Sequence, residues 1–287
     1  MKVLSNICAV ALLGLVASSC VTNSVENTET NQYPQCFAYV KNVKDNSEKL
    51  TGDITYTIAL DNTKLKASIT ISGFEMPDGS AYNEMKFEDL PYTINDEGWL
   101  VVSSPELNPA VSTFKQPTVS NFEFRLLPRW VINSSVPGMM VRFMIDDCYF
   151  YSSQQLQVMA GVTQSTPEDG ETYQTKVPYY AFYFDCKTQK VNIGLYQAQF
   201  AVDKFEQYTI VLPEVPFTMS ENGAQFAIAD ITPSIAGNPD SGYKVTNVSG
   251  SFDFSRAFTL GYTIDTSTAQ YTVTASGTYF SAPETAE

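Results

Sequence analysis

Histidine does not occur anywhere in the 287-residue chain. Its absence removes the Ser-His-Asp and Cys-His triads, and it takes away the usual ligand of catalytic zinc. Cations are also scarce, with 17 Lys and Arg against 31 Asp and Glu and a formal net charge of -14. A phosphate backbone is bound by clustered cations that release its counterions, and no such cluster exists, which excludes nucleic acid as a partner. Docking on anionic lipid heads by charge is excluded on the same ground. Only 5 cysteines and 2 tryptophans are present. There is no CxxC pair and no D-x-D-x-D-G loop, so neither a zinc site nor an EF-hand calcium site is expected, and no cofactor is implied. No stretch keeps capped helical spacing for three turns, and the apolar run at residues 7–17 is too short to cross a bilayer as a helix.

What that run does fit is a processing signal. Lys2 precedes it and Ala17-Ser18-Ser19-Cys20 follows it, in the arrangement of a bacterial lipoprotein leader cut before Cys20. Residues 1–19 are read as the signal peptide and Cys20 as the lipidated N-terminus of the mature chain. Attachment to the membrane then rests on acyl chains, whose burial contributes about 0.8 kcal/mol per methylene. The expected location is the bacterial cell envelope, anchored at the outer membrane, with the periplasmic and surface faces both open. Residues 20–35, rich in Asn, Thr, Ser and Glu, have the composition of a flexible tether. Cys36, Cys148 and Cys186 are left, an odd number that permits one disulfide with a free thiol or three reduced thiols.

The remaining chain repeats itself. Asp89-Leu90-Pro91-Tyr92-Thr93-Ile94 returns as Glu214-Val215-Pro216-Phe217-Thr218-Met219, and both copies run on to a turn ending in Gly98 or Gly223. Upstream, Tyr56 to Asp61 matches Tyr180 to Asp185; downstream, Val119-Ser120-Asn121-Phe122 matches Val245-Thr246-Asn247-Val248. A likeness that survives several strands with small gaps marks a tandem duplication, with domains at 36–165 and 173–281, an acidic linker at 166–172 and a tail at 282–287. Apolar residues alternate with polar ones at Ile54, Tyr56, Ile58 and Leu60, at Ala67, Ile69 and Ile71, and at Phe258, Leu260, Tyr262 and Ile264. This is the period of half-buried strands, separated by turn signals at short intervals. The expected fold is all-β: two antiparallel β-barrel or β-sandwich domains of about six to eight strands each.

Aromatic residues supply the candidate binding positions. Tyr179, Tyr180, Phe182, Tyr183 and Phe184 put rings on both faces of one strand, so Tyr179 and Tyr183 could line a ligand wall or pack on a neighbouring segment. Trp99 and Trp130 both lie in the first copy and have no tryptophan counterpart in the second. Either could stack on a sugar or close a core. Ser112-Thr113-Phe114-Lys115 has the S-x-x-K spacing of serine β-lactamases, but Ser-Asp-Asn is absent and Lys187-Thr188 is followed by Gln189, so the pocket that this chemistry needs is incomplete. The adjacent carboxylates Asp146-Asp147 and Glu88-Asp89 would point to opposite strand faces and not converge on one substrate atom.

Ser18-Ser19-Cys20, the polar tether, and the paired Leu90-Pro91-Tyr92 and Val215-Pro216-Phe217 segments together resemble envelope lipoproteins of Bacteroidetes with calycin-like β domains. The resemblance implies closed barrels with room for an internal cavity. The expected role is that of a lipid-anchored, non-catalytic protein that binds a small molecule, glycan or protein through a barrel mouth or the cleft between its domains. The alternative is a structural or adhesive, fimbrillin-like surface lipoprotein.

Overall fold

The computed structural model describes residues 28–112, 116–127, 138–175, 179–196, 198–202, 204–205, 209–238, 242–253, 257–266 and 268–279. They form strands and turns and no helix. Two compact units divide between Gln155 and Leu156.

The first unit contains β1 (Thr28–Asn42), β2 (Glu48–Asp61), β3 (Lys66–Ser72), β4 (Phe74–Glu75), β5 (Ala81–Tyr82), β6 (Met85–Pro91), β7 (Thr93–Ile94), β8 (Leu100–Leu107), β9 (Ala110–Val111), β10 (Val119–Leu127), β11 (Gly138–Ile145) and β12 (Cys148–Gln154). Its antiparallel sheet runs β7-β8-β10-β11-β12-β1-β2-β3-β6-β9. Only Tyr92 separates β6 from β7, so these two short strands act as one interrupted strand that joins the ends of the sheet. Lys66 pairs Pro91 on one side, and Thr93 pairs Val101 on the other. The ring therefore closes with eight strand positions.

The second unit contains β13 (Leu156–Pro167), β14 (Tyr173–Thr175), β15 (Tyr179–Asp185), β16 (Lys190–Tyr196), β17 (Gln199–Ala201), β18 (Lys204–Phe205), β19 (Ile210–Ser220), β20 (Gly223–Ile231), β21 (Ser234–Ile235), β22 (Lys244–Asp253), β23 (Ala257–Asp265) and β24 (Gln270–Tyr279). Here β13 pairs both β15 and β24, which closes an eight-stranded antiparallel barrel β13-β15-β16-β19-β20-β22-β23-β24. The uninterrupted β19 takes the place of β6 and β7.

The duplication extends to the backbone. Leu65 and Gln189, Asp89 and Glu214, and Asn121 and Asn247 all hold left-handed φ between 53° and 56°. The last two pairs sit at bulges in equivalent strands, where the ladder shifts register. At the Asp89 bulge the freed amide donates to Ser68 Oγ at 3.2 Å, and at Glu214 it donates to Asn192 Oδ1 at 2.8 Å. The acidic residue that opens the repeated segment thus marks a bulge, a device that bends a strand and sharpens its twist as barrel closure requires.

Alternation decides what fills each barrel. Phe74, Phe87, Phe122, Phe143 and Phe150 all point inward in the first, with ring centroids 4.3 to 6.0 Å apart. Tyr180, Phe182, Phe184, Phe226, Phe252 and Phe258 fill the second in the same way. Full burial of one such side chain contributes roughly 1.5–3 kcal/mol. These rings stand where the internal cavity implied by the calycin-like resemblance would be.

The boundaries differ from the sequence reading at two points. β1 begins at Thr28, where Thr28 pairs Asp61, so residues 28–35 of the expected tether belong to the barrel. They look tether-like because the start of this strand is mostly exposed on both faces and carries polar side chains. Residues 166–167 of the expected linker end β13, with Pro167 opposite Tyr271. The first strand of the second barrel thus lies upstream of the 173 start, because β24 needs it as its partner. Residues 1–27, with the leader and Cys20, lie outside the described residues, as does the tail from 280.

Candidate functional site

Outward side chains of β8, β10, β11 and β12 line a groove of about 570 Å³ on the first barrel. Its walls are Ser103, Ser104, Pro105, Asn121, Glu123, Arg142, Met144 and Tyr149, with Phe122 and Phe143 beneath. Register places the charged residues there: Glu123 stands opposite Ser103 on β8 and opposite Arg142 on β11. Phe122 and Phe124 point into the core, so alternation forces Glu123 and Arg125 outward. The bulge at Asn121 breaks this alternation and re-aims the strand at the rim of the groove.

Glu123 is the hub of an ion-pair cluster. Its Oε1 accepts from Arg125 Nε at 2.5 Å; its Oε2 accepts from Arg142 Nε at 2.7 Å and also from Arg142 Nη2. The carboxylate side chain is only 16% exposed, whereas Arg125 is 34% and Arg142 45% exposed. Two guanidinium groups share one carboxylate, so the cluster keeps one positive charge.

The second barrel has a groove of about 420 Å³ over β13, β22, β23 and β24, lined by Val162, Gln164, Ser249, Gly250, Thr259 and Gly261 among others. Ser249 faces Gly261 at the register position of Glu123 and Arg142. The charge cluster belongs to one copy alone.

The residues proposed from sequence fall elsewhere. Trp99 is 4% exposed, with its backbone N–H on Asn95 Oδ1 at 2.8 Å, and it does not line the groove. Trp130 and Cys20 lie outside the described residues. Tyr179 and Tyr183 share the outward face of β15 and are half-buried, while Tyr180, Phe182 and Phe184 point into the barrel. The doubly aromatic strand therefore splits cleanly by alternation.

Other candidates have structural partners. Asp146 Oδ1 accepts from the Thr118 amide at 3.0 Å, and Asp147 pairs Lys44 at 2.6 Å. Glu88 pairs Lys86 at 2.6 Å, and Asp89 forms the bulge. In the S-x-x-K segment Ser112 is described, whereas Thr113, Phe114 and Lys115 are not. Among the described residues no group of His, Cys, Asp or Glu could hold a metal ion.

The three cysteines are free and buried. Cys148 pairs Asn42, six residues along β1 from Cys36, which puts the two thiols of the first barrel roughly 20 Å apart at a strand rise of about 3.3 Å. Burial pushes the Cys36 thiol far up from its ordinary value. Inside the second barrel, the Tyr180 hydroxyl shares a hydrogen bond with Thr163 Oγ1, and burial pushes Tyr180 up to about 12. Burial likewise raises Tyr262, beside Tyr180, and Tyr56, the Tyr180 counterpart in the first barrel.

Sequence reasoning missed Glu123 and Arg142 because 19 residues separate them. One signal was present: arginine occurs only at 125, 129, 142 and 256, and two of these four flank one glutamate in outward strand positions.

No family model matches the chain, and no curated protein does. Among solved structures, the chain is similar to a protein described as an outer membrane protein from Bacteroides fragilis, at 10% identity and a TM-score of 0.34, covering 87% of this chain and 97% of that one. It is also similar to isotype 1 transferrin-binding protein B from serogroup B Neisseria meningitidis, at 9% identity and a TM-score of 0.25, covering 88% of this chain and 78% of that one. The all-β architecture stands on the strand pairing itself.

Proposed function

We propose that this chain is a lipid-anchored protein of the bacterial envelope that binds a ligand without transforming it, through the outer groove of its first barrel. The Glu123–Arg125–Arg142 cluster carries the reading: a groove with oriented charged groups is built in one copy and missing from the other. The filled barrel interiors support an external site over an internal one. The carboxylate pairs sit at turns and bulges with separate partners, which supports a role in binding over one in hydrolysis. The leader supports the anchor.

Two measurements test the proposal. Cells expressing the full chain and fed an alkyne analogue of palmitate label the wild-type protein, whereas Cys20→Ala abolishes labelling; retained label refutes the anchor. Screening the mature protein in detergent against glycan and metabolite arrays identifies ligands. Arg142→Ala combined with Glu123→Ala removes that binding, and unchanged binding in the double variant refutes the groove.

A further inference from the structure

We infer that the groove recognises an acidic saccharide, one whose carboxylate lies on the guanidinium edge of Arg142. This rests on the proposed binding role of the same groove and names its ligand class.

The argument begins with donors. Arginine carries five N–H donors in a fixed fork. Arg142 directs Nε and Nη2 at Glu123 Oε2, which pins the plane of its guanidinium and leaves the Nη1 edge without a partner among the described residues. The Arg142 side chain lines the groove and is 45% exposed. An oriented guanidinium binds a carboxylate through two parallel hydrogen bonds at little ordering cost, because Glu123 has already restricted its rotamer.

Charge selects the same class. The formal net charge of the chain is -14, yet here two guanidinium groups surround one carboxylate and leave a local excess of one positive charge. In a protein that repels anions elsewhere, this groove attracts one. The rest of the lining suits a polyhydroxylated body: Ser103 and Asn121 offer a hydroxyl and an amide, and Met144 and Tyr149 offer apolar surface on the opposite wall. A volume of about 570 Å³ falls in the range of small-ligand sites and accommodates more than a lone anion.

Calorimetry on the mature wild-type protein with a panel of uronic-acid trisaccharides and their methyl esters, which keep the shape and lose the charge, tests the class. The expected result is that at least one free acid binds and that its ester binds roughly tenfold to a hundredfold more weakly, the span of a hydrogen bond to a charged group. Affinity for the acid falls as salt rises. Arg142→Ala erases the difference between acid and ester, and Arg142→Lys restores only part of it, because an ammonium cannot form the fork. Failure of every acid to bind overturns the inference, as does equal binding of acid and ester. If the array ligands are neutral and their binding still depends on Arg142, the acidic class is wrong while the groove stands. If acids bind but Arg142→Ala and Arg142→Lys leave them unchanged, both the inference and the groove fall.

Discussion

Across the outer face of the first barrel one row of paired residues reads Ser103, Glu123, Arg142, Tyr151 and Tyr39. The equivalent row of the second reads Ala227, Ser249, Gly261, Thr274 and Gln164. Register, bulges and strand order are shared, yet one row is charged and aromatic and the other is small and neutral. Interiors differ in another way. Val102 faces Phe124 in the first barrel, whereas Phe226 faces Gly250 in the second, so the large residue has changed strands. At the closing pair both partners are smaller in the second barrel, Gly161 and Gly277 for Cys36 and Gln154, and there the Phe258 ring takes the space, 2.9 Å from where a Gly161 Cβ would stand. Inside a close-packed barrel, substitutions compensate one another in volume; outside, where Arg142 is 45% exposed, that constraint is weaker and chemistry can diverge, although Tyr39 and Tyr151 of the same row are buried.

The largest effect is expected when the Phe–Gly exchange between the two strands is made incomplete. A Cβ at Gly250 would meet the Thr259 carbonyl and come within 2.5 Å of Phe226 Cε2. Gly250→Phe alone therefore costs the second barrel about 3 kcal/mol or more. Adding Phe226→Val, which recreates the first barrel's pair, recovers the part of that due to the Phe226 ring, while the contact with the Thr259 carbonyl remains. Hydrogen exchange resolved by strand, with the first barrel as internal reference, reads both effects. A double variant as unstable as the sum of its parts would show that the volume exchange is not real.

Alkali provides the next largest effect. The Tyr180 pKa is raised from 10.0 to about 12 in the folded state. Its contribution is thus complete below pH 10 and is lost as pH rises from 10 through 12, amounting to roughly 2–3 kcal/mol at about 1.4 kcal/mol per unit. Tyr262 and Tyr56 shift in the same direction. With the Cys36 thiol and Tyr56 inside the first barrel and Tyr180 and Tyr262 inside the second, both lose protection in alkali, and the first does so earlier because its buried thiol ionises in the unfolded chain from about pH 9. Earlier opening of the second barrel in exchange experiments between about pH 9 and 11.5 would contradict that order.

Gly277→Ala ranks third. Its Cβ would meet the Ala160 carbonyl and stand 2.6 Å from Gly161 Cα, at the β13–β24 pairing that closes the ring. A loss of about 1–3 kcal/mol is expected in urea unfolding, although the first barrel carries Gln154 at the same position. Smallest is the stability effect of Arg142→Ala, under about 0.5 kcal/mol, because an exposed ion pair contributes little. A larger shift in the urea midpoint would make the cluster a structural clamp rather than a binding element.

Much of the architecture was legible in single residues. The alternation of Ile54, Tyr56, Ile58 and Leu60 marked an inward face, and all four are core residues. Pro91-Tyr92 and Pro216-Phe217 marked equivalent places, and the Tyr92 and Phe217 amides indeed donate to the equivalent carbonyls of Leu65 and Gln189 at 3.0 Å. The site was not legible. The recognisable repeat ended at Phe122 and Val248, one residue short of Glu123 and Ser249, so the position where the copies diverge fell where the comparison stopped. Aromatic content drew attention to Trp99, which is enclosed, because residue type reports the preference of a ring and not its neighbours.

Alternation, turn residues and composition are properties of neighbours along the chain, and they suffice for the all-β class, the duplication, the polarity of each strand face and the absence of imidazole chemistry. Closure of the strands into rings, the start of β1 at Thr28 and of β13 at Leu156, and the meeting of Glu123 with Arg142 arise in the folded chain. Those are properties of register across strands: a shift of one residue would turn every side chain to the other face, and the register is set by bulges and by closure of the whole ring.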